Sequence, residues 1–538
     1  MAKKILAMLL AVVMLVGMLA GCNPQKPVET QPKETQGGSK ETQPKETEPP
    51  VVEFSYPMEG KKLTHALSIR GQQEAAGLNN MGESKFAKLV AEKTGVEVEY
   101  IQGRDADNWI SLMLAEGDYP DVMEAWWTNV YPGGIQAMGT DEVIIPLNDV
   151  IDQYMPNFKA WLDANPELAA QLYNSEGVIY GIPCVYESTD TLNTTGLIIR
   201  QDWLKELGLS VPTTIDEWYT VLKAFKEQKG VIPFCNITKY FLQDGFMKAY
   251  VPAQNYCIDP NTGKITYGQY TDAYKEFLTT MNQWYEEGLI DPDIAALDYA
   301  TVNVKRNNSE IGALYGWNSS IENMTVEADV LVAAPTPMKS AGALNFHAST
   351  AQVTKYHAVI STNCEDVEAA ARYLDWFWSE EGKLASNFGI EGESYVMVDG
   401  SPEFTDLVLK NPDGLDKKAV MGDYIIQYSA AVGMIMDAYT LSQSKRPTTR
   451  ESYGIWGSSG SSDYNLPADV KLTEEEAARV AEIEAELKTH ISEYCTKFLI
   501  GTADIETEWA DYIKLCEQFG IKEVIEIYQA AYDRYLAG

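Results

Sequence analysis

The sequence predicts an α/β protein built of two lobes and finished by C-terminal helices, and three observations carry the prediction. Between Leu63 and Trp127, stretches of strand and helix character alternate, the pattern of a parallel sheet with covering helices. The 538 residues are too many for one ordinary core and enough for two of substantial size. From Thr473 onward two helical runs, Glu474 to Ile500 and Ile505 to Tyr535, close the chain.

The N-terminus is a secretory leader. Lys3 and Lys4 precede an apolar run from Ile5 to Leu19, and Leu19-Ala20-Gly21-Cys22 sets small residues before a cysteine. The run is shorter than the roughly 20 residues that span a bilayer. Residues 1–22 therefore read as a signal peptide, and the cysteine resembles a bacterial lipobox, in which Cys22 carries diacylglycerol and becomes the mature N-terminus. Residues 23–53 have almost no apolar side chain and repeat Glu-Thr-Gln-Pro-Lys-Glu-Thr at Glu29 and Glu41. Such a segment cannot bury enough surface to offset ordering, so it is expected to be a disordered tether with a reach on the order of 30 Å.

Along the first lobe, Leu63 to Ile69 reads as a strand and Arg70 to Met81 as a polar loop. Phe86, Leu89 and Val90 give Lys85 to Thr94 an apolar helical stripe, which Gly95 ends, and Val96 to Ile101 is the next strand. Trp109 to Glu116 is a helix, Gly117 to Pro120 a turn, and Asp121 to Glu124 a short strand running into Trp126 and Trp127. Ligands of such sheets gather outside the carboxyl ends of the strands. Side chains alternate along a strand, so at least one of the two indoles is expected to face that mouth. Asn148 to Tyr173 is helical, broken at Pro156 and Pro166.

Thr191 to Ile199 is a buried strand by its β-branched and aliphatic content. A helix follows in which Asp202 serves as cap, Leu204 and Leu207 face inward, and Gly208 takes the left-handed terminal position before Pro212 forbids continuation. Thr214 and Glu217 stand at capping-box spacing ahead of Trp218, Leu222 and Phe225. The loop Asp259 to Lys264 is a hairpin turn; its Asp-x-Asn-x-Gly lacks the glutamate a calcium loop needs at its twelfth position. Thr271 to Gly288 is a helix burying Phe277, Met281, Trp284 and Tyr285. Ile311 to Leu314 is a strand with Trp317 just past its end, which makes Trp317 the leading ligand-stacking candidate of the far lobe. Glu365 to Ser379 is a helix, with Glu393 and Tyr395 following as further cleft candidates. Residues 402–423 read as a surface excursion. Lys445 to Leu466, which contains Trp456, reads either as a lip over a cleft or as a plain loop.

The string Arg200-x-Asp202-Trp203-Leu204-x-x-Leu207-Gly208-Leu209-x-Val211-Pro212-Thr213-Thr214-x-Asp216-Glu217-Trp218 resembles the extracellular solute-binding proteins of family 1, especially the long lipoprotein type that serves Gram-positive sugar transporters. Gly288-Leu289-Ile290-Asp291-Pro292 and the tail from Trp509 to Tyr532 resemble the same family. The resemblance implies a periplasmic-binding-protein-like fold of type II with an interlobe cleft. Residues 62–188 and 335–400 would form the first lobe, and 189–334 with 401–538 the second, with Tyr186 and Glu187 at the crossing as ligand candidates. It also implies a carbohydrate ligand, most naturally an oligosaccharide, and the permease subunits of an ABC importer as partner.

The residues themselves weigh binder against enzyme. The four histidines are isolated, and no Gly-x-Ser-x-Gly, phosphate loop or dinucleotide fingerprint occurs. No cofactor or catalytic residue is therefore assigned. A net charge of -36 argues against nucleic acid or an anionic membrane surface, because neutralising phosphates takes clustered Lys and Arg. Contact with the cell membrane is expected through the lipid alone, on the extracellular face, for a monomeric protein. Of seven cysteines, the six beyond Cys22 form no Cys-x-x-Cys pair and suit buried free thiols better than disulfides. With 31 tyrosines and 12 tryptophans the chain is rich in flat faces suited to sugars. The competing readings are a surface-anchored glycan-active enzyme and a binder of peptides or other small polar solutes.

Overall fold

The first four strands lie in one sheet, with β3 and β4 buried almost throughout as strands covered on both faces are: β1 (Lys61–Ala66), β2 (Val96–Ile101), β3 (Val122–Trp126) and β4 (Ile182–Tyr186). The structure, a computed structural model, describes residues 56–537 apart from 59, 70, 104–107, 326–328, 348–350 and 427–432. The leader, Cys22 and the 23–53 tether lie outside the described residues. The chain then builds a second sheet from β5 (Thr195–Arg200), β6 (Ile232–Phe234), β9 (Ile311–Trp317) and β10 (Leu331–Ala334), with a hairpin of β7 (Tyr256–Ile258) and β8 (Ile265–Tyr267) beside it. It returns to the first sheet with β11 (Val353–Ile360), forms a hairpin of β12 (Tyr395–Val398) and β13 (Ser401–Phe404), and adds β14 (Gly433–Ile435).

The first sheet has the order β14-β4-β11-β3-β1-β2, and only β11 runs against the other five. The second has the order β10-β5-β9-β6, with β5 opposed to the rest. Each sheet has its own apolar core on both faces. Phe86, Phe158, Tyr373 and Trp376 are in the first; Trp218, Phe246, Trp284 and Tyr512 are in the second. This is a two-lobed α/β architecture.

Two lobe boundaries read from the sequence need correction. Residues 401–426 and 433–444 associate with the first sheet rather than the second: Phe404, Val408, Val420 and Met421 belong to its core, and β14 extends it by pairing in parallel with β4. The excursion expected at 402–423 stays largely exposed up to Lys418 and is anchored to this core by Phe404 and Val408, before Ala419–Gly422 become buried. Conversely, residues 335–347 stay with the second sheet, where the Met338 amide donates to the Thr213 carbonyl at 2.8 Å and the Phe346 amide to the Lys248 carbonyl at 2.9 Å. Within 445–466, Pro447–Gly457 is a helix started by Pro447 and burying Tyr453 and Trp456, while 458–466 is loop. The last helical run is divided at Gly520, whose φ of 100° is the left-handed break between Ile505–Phe519 and Ile521–Ala537.

Several local signals behave as their chemistry dictates. Thr214 and Glu217 form both halves of a capping box, and Gly208 ends Gln201–Leu207 at a φ of 67°. Pro156 and Pro166 each open a helix. Asp202 differs. It lies inside the first turn of its helix and accepts from Arg200 Nε at 2.8 Å, while the guanidinium sits 4.0 Å over the Trp203 ring.

In the first lobe, fully buried Asp375 accepts hydrogen bonds from the amides of Phe158 at 2.8 Å and Asn157 at 3.3 Å and from Asn157 Nδ2 at 2.8 Å. Burial outweighs those bonds and raises its carboxyl from 3.8 to about 6. A folded pKa above the unfolded one means the folded state holds this proton more tightly. The stabilising contribution is complete below about pH 4 and is lost as pH rises through about 6. Asp375→Asn is expected to remove a pH-dependent difference of about 3 kcal/mol over that window, seen when urea unfolding of parent and variant is compared at each pH. Parallel stability profiles would contradict the assignment.

The six described cysteines are buried free thiols. Burial raises each, Cys257 to about 11 and Cys184, Cys364, Cys495 and Cys516 to about 12. Because the thiolate is the reactive form, these thiols are expected to resist Ellman's reagent in the folded protein at pH 8 and to react on unfolding.

Candidate functional site

The chain passes between the sheets three times, and the passages are knitted together. In the first, residues 187–194, the Glu187 amide donates to the Ile435 carbonyl at 2.9 Å and the Glu187 carboxylate accepts from the Asp437 amide at 2.8 Å. The Asp437 carboxylate in turn accepts from Ser188 Oγ at 2.6 Å and Thr191 Oγ1 at 2.7 Å. The second passage is held by Gln352, whose Nε2 donates to the Tyr186 carbonyl at 2.9 Å and the Glu187 carbonyl at 3.1 Å. In the third, the amides of Lys445 and Arg446 donate to the Glu322 carboxylate at 3.0 and 3.1 Å, and Arg446 Nε to the Glu322 carbonyl at 3.1 Å.

Strand direction brings the two sheets' carboxyl ends to this junction. β4 and β14 end there in Tyr186 and Ile435, so the carboxyl ends of β1, β2 and β3 lie on the same edge. In the second sheet Trp317 pairs with Thr195, the first residue after the crossing, so β6, β9 and β10 also end toward the junction. Ligands of α/β sheets bind outside such ends.

Trp126 and Trp317 stand at these ends. Trp126, 40% exposed, closes β3 opposite Tyr356 of β11. Half-buried Trp317 closes β9 between two rings set edge-on, Tyr240 at 5.2 Å and Tyr299 at 5.1 Å. Tyr186 is half-buried at the end of β4, and Glu187 is exposed with its carboxylate committed to the Asp437 amide.

Two candidates are corrected, Trp127 and Tyr395. Trp127 is 1% exposed and donates its Nε1 hydrogen to the His357 carbonyl at 2.9 Å, because a helix, Trp127–Val130, begins at this residue and turns the indole into the core. Tyr395 is 4% exposed and packs 5.9 Å from the Phe388 ring. Trp456 is 3% exposed and donates to the Leu197 carbonyl at 3.3 Å across Gly196, where only a missing Cβ leaves room for the indole, while an edge of the ring reaches a pocket. Glu393 is exposed and accepts from Lys85 Nζ at 3.4 Å and the Tyr424 hydroxyl at 3.0 Å, a surface cluster of the first lobe.

A pocket at the junction end of the second sheet is lined by an edge of Trp456 and by residues the sequence did not single out: Thr195, Asp244, Lys248, Tyr315 and His347. Lys248, with its side chain 8% exposed, donates to the Pro252 carbonyl at 2.5 Å, and its ammonium lies 3.9 Å from the Asp244 carboxylate. Burial raises the Asp244 carboxyl and lowers the Lys248 ammonium, each opposed by the attraction of the other. The Tyr315 hydroxyl donates to Thr195 Oγ1 at 3.2 Å. Nothing in the sequence pattern marks these residues, because the stretch up to Cys257 has no clear period.

Among the described residues no group of three or more His, Cys, Asp or Glu could hold a metal ion. Asp259 instead closes its own turn, accepting from the amides of Asn261 at 2.7 Å and Thr262 at 3.0 Å. Among the described residues no helix is long and apolar enough to cross a membrane.

Two α/β lobes, linked by three braced passages and turning strand ends and indoles toward one junction, define a solute-binding protein of the two-lobed class. The chain belongs to the bacterial extracellular solute-binding protein family, whose profile matches residues 74–384. It is 25% identical over 512 residues to the fructooligosaccharide ABC transporter substrate-binding protein FusA of Streptococcus pneumoniae serotype 4, covering 90% of this chain and 92% of that protein. It is also 25% identical over 410 residues to the lipoprotein LipO of Bacillus subtilis, covering 71% of this chain and 77% of LipO. The structure of the alginate-binding protein AlgQ2 without calcium ion superposes with a TM-score of 0.73 at 24% identity, over 88% of this chain and 98% of AlgQ2. FusA in complex with kestose gives 0.73 at 23% identity, over 89% and 100%.

Proposed function

We propose that the protein captures an oligosaccharide outside the cell in the cleft between its lobes and passes it unchanged to the permease subunits of an ABC importer. The carrying observation is the pair of indoles, Trp126 and Trp317, at strand ends of opposite lobes. A flat aromatic ring covers the apolar face of a sugar ring, and ends presented from two lobes allow both to close on one chain of sugars. The relatives support the ligand class, since FusA is a fructooligosaccharide protein and AlgQ2 an alginate protein. Cys22, carrying a lipid, holds the protein on the extracellular face of the membrane through residues 23–53, in keeping with the lipoprotein LipO.

Titration calorimetry of the mature chain against neutral and acidic oligosaccharides and against tri- to pentapeptides tests the reading. Binding of an oligosaccharide that is recovered intact supports it. Binding of peptides alone overturns the ligand class, and release of shortened glycan overturns the transport role. Mass spectrometry of the N-terminal peptide from cells reads the lipid directly, and Cys22→Ser is expected to release the protein into the medium.

A further inference from the structure

We propose that the pocket formed by Asp244, Lys248, Tyr315, Thr195 and His347 reads the hydroxyls of an uncharged sugar unit at the junction end of the ligand, so that the protein selects neutral over uronic-acid glycans. The proposal rests on the oligosaccharide reading and adds to it the ligand's charge and the residues that decide it.

The distance between the charges comes first. Asp244 and Lys248 are 3.9 Å apart, too far for a direct hydrogen bond, although both line the same pocket. A hydroxyl is the group that fits between them: it accepts from the ammonium and donates to the carboxylate at once. Lys248 has three donor hydrogens and uses one on the Pro252 carbonyl, so donor capacity remains for a ligand.

The other lining groups also combine donors and acceptors without net charge. Ser459 offers His347 Nδ1 a carbonyl at 3.2 Å, which only accepts, so the proton sits on Nδ1. Burial holds the ring below its ordinary value of 6.5, so at pH 7 it is neutral and Nε2 is left as an acceptor. Tyr315 and Thr195 add hydroxyls. Trp317 lies two residues beyond Tyr315 on the same face of β9, so a flat ring adjoins the polar pocket.

Charge then sets the preference. A uronate carboxylate that approached Lys248 would also approach Asp244, and in a site poor in water that repulsion offsets the attraction. The net charge of -36 disfavours anionic ligands further. Position adds a second consequence, because Thr195 follows the first passage, His347 precedes the return to β11, and Trp456 lies on the helix after the third. Groups lining this pocket thus lie next to every connection between the lobes.

The test is calorimetry on the full mature chain with kestose, nystose, maltotriose, xylotriose and mannotriose as the neutral set, and trigalacturonate and an alginate trimer as the acidic set. At least one neutral member is expected to bind and the acidic members to bind more weakly. Asp244→Asn is expected to weaken the best neutral ligand about tenfold or more, as loss of a hydrogen bond to a charged group does. It should also narrow the neutral-to-acidic preference about tenfold, a change that a merely structural residue would not cause. Should Asp244→Asn fail to fold, Thr195→Val decides, with an expected loss of about fivefold on the neutral ligand. Tighter binding of an acidic trimer, or unchanged neutral affinity in both variants, overturns this inference and leaves the oligosaccharide reading standing. Binding of none of these sugars overturns both.

Discussion

Trp317→Ala is expected to weaken oligosaccharide binding about 10- to 100-fold, because truncating a central aromatic anchor costs roughly 1.5 to 3 kcal/mol. The fold should tolerate the change. Trp317 is only half-buried at the end of β9, and its neighbours have supports of their own: the Tyr299 hydroxyl lies 3.2 Å from Ser320 Oγ, and Tyr240 lies in the helix Thr238–Gln243. The two rings set perpendicular to the indole, at 88° and 89°, fix its orientation before a ligand arrives, which lowers the ordering cost of binding. Trp317→Phe keeps a flat face and should keep most of the affinity. Calorimetry with the best ligand, beside a thermal melt of each variant, separates lost stacking from lost structure. Equal affinities for parent and alanine variant would remove Trp317 from the site.

Trp218→Ala is expected to destabilise the second lobe by about 3–5 kcal/mol, through lost burial and the cavity left behind. Trp218 is fully buried under the second sheet with the Phe246 ring 5.0 Å away and edge-on, and Phe246 in turn meets Trp284 at 5.2 Å. Its indole nitrogen has no hydrogen-bond partner among the described residues. The indole therefore contributes through packing, and a buried donor without a partner is a cost. Trp218→Phe should for that reason lose no more than about 1–2 kcal/mol. Urea unfolding of the three proteins checks both values. A phenylalanine variant as unstable as the alanine one would mean that the N–H is satisfied, for instance by a buried water.

Where a residue's own chemistry decides its surroundings, the sequence was a sound guide. The capping box at Thr214, the left-handed Gly208, the helix starts at Pro156 and Pro166 and the hairpin turn at Asp259 are all local events that need no tertiary context. The errors arose where distant packing decides. Residues 402–423 carry apolar side chains in short pieces with no long period, and only the proximity of Phe388, 4.9 Å from Phe404, makes them part of the first core. Alternation required only one of the two indoles to face outward, and it is Trp126; Trp127, the other candidate, is the buried one of the pair. Trp456 and Tyr395 are aromatic and lie in polar stretches, which suggested exposure, but each fills a cavity that other segments create. Asp244 and Lys248 escaped notice for the opposite reason: acidic and basic residues are common on surfaces, and nothing in their spacing shows that these are enclosed.

The braces around Asp437 and Gln352 have a mechanical consequence. Rigid parts joined at one place swing about it, and displacement grows with the length of the arm. The Asp244 pocket adjoins the passages, with Thr195 just past the first of them. Trp126 stands two strand spacings, roughly 10 Å, from the end of β4, and so travels further. A ligand that fills the pocket without reaching that indole loads one side of the lever only and cannot draw the lobes together. On the proposed reading, affinity is therefore expected to rise once the glycan is long enough to reach from the Asp244 pocket to Trp126.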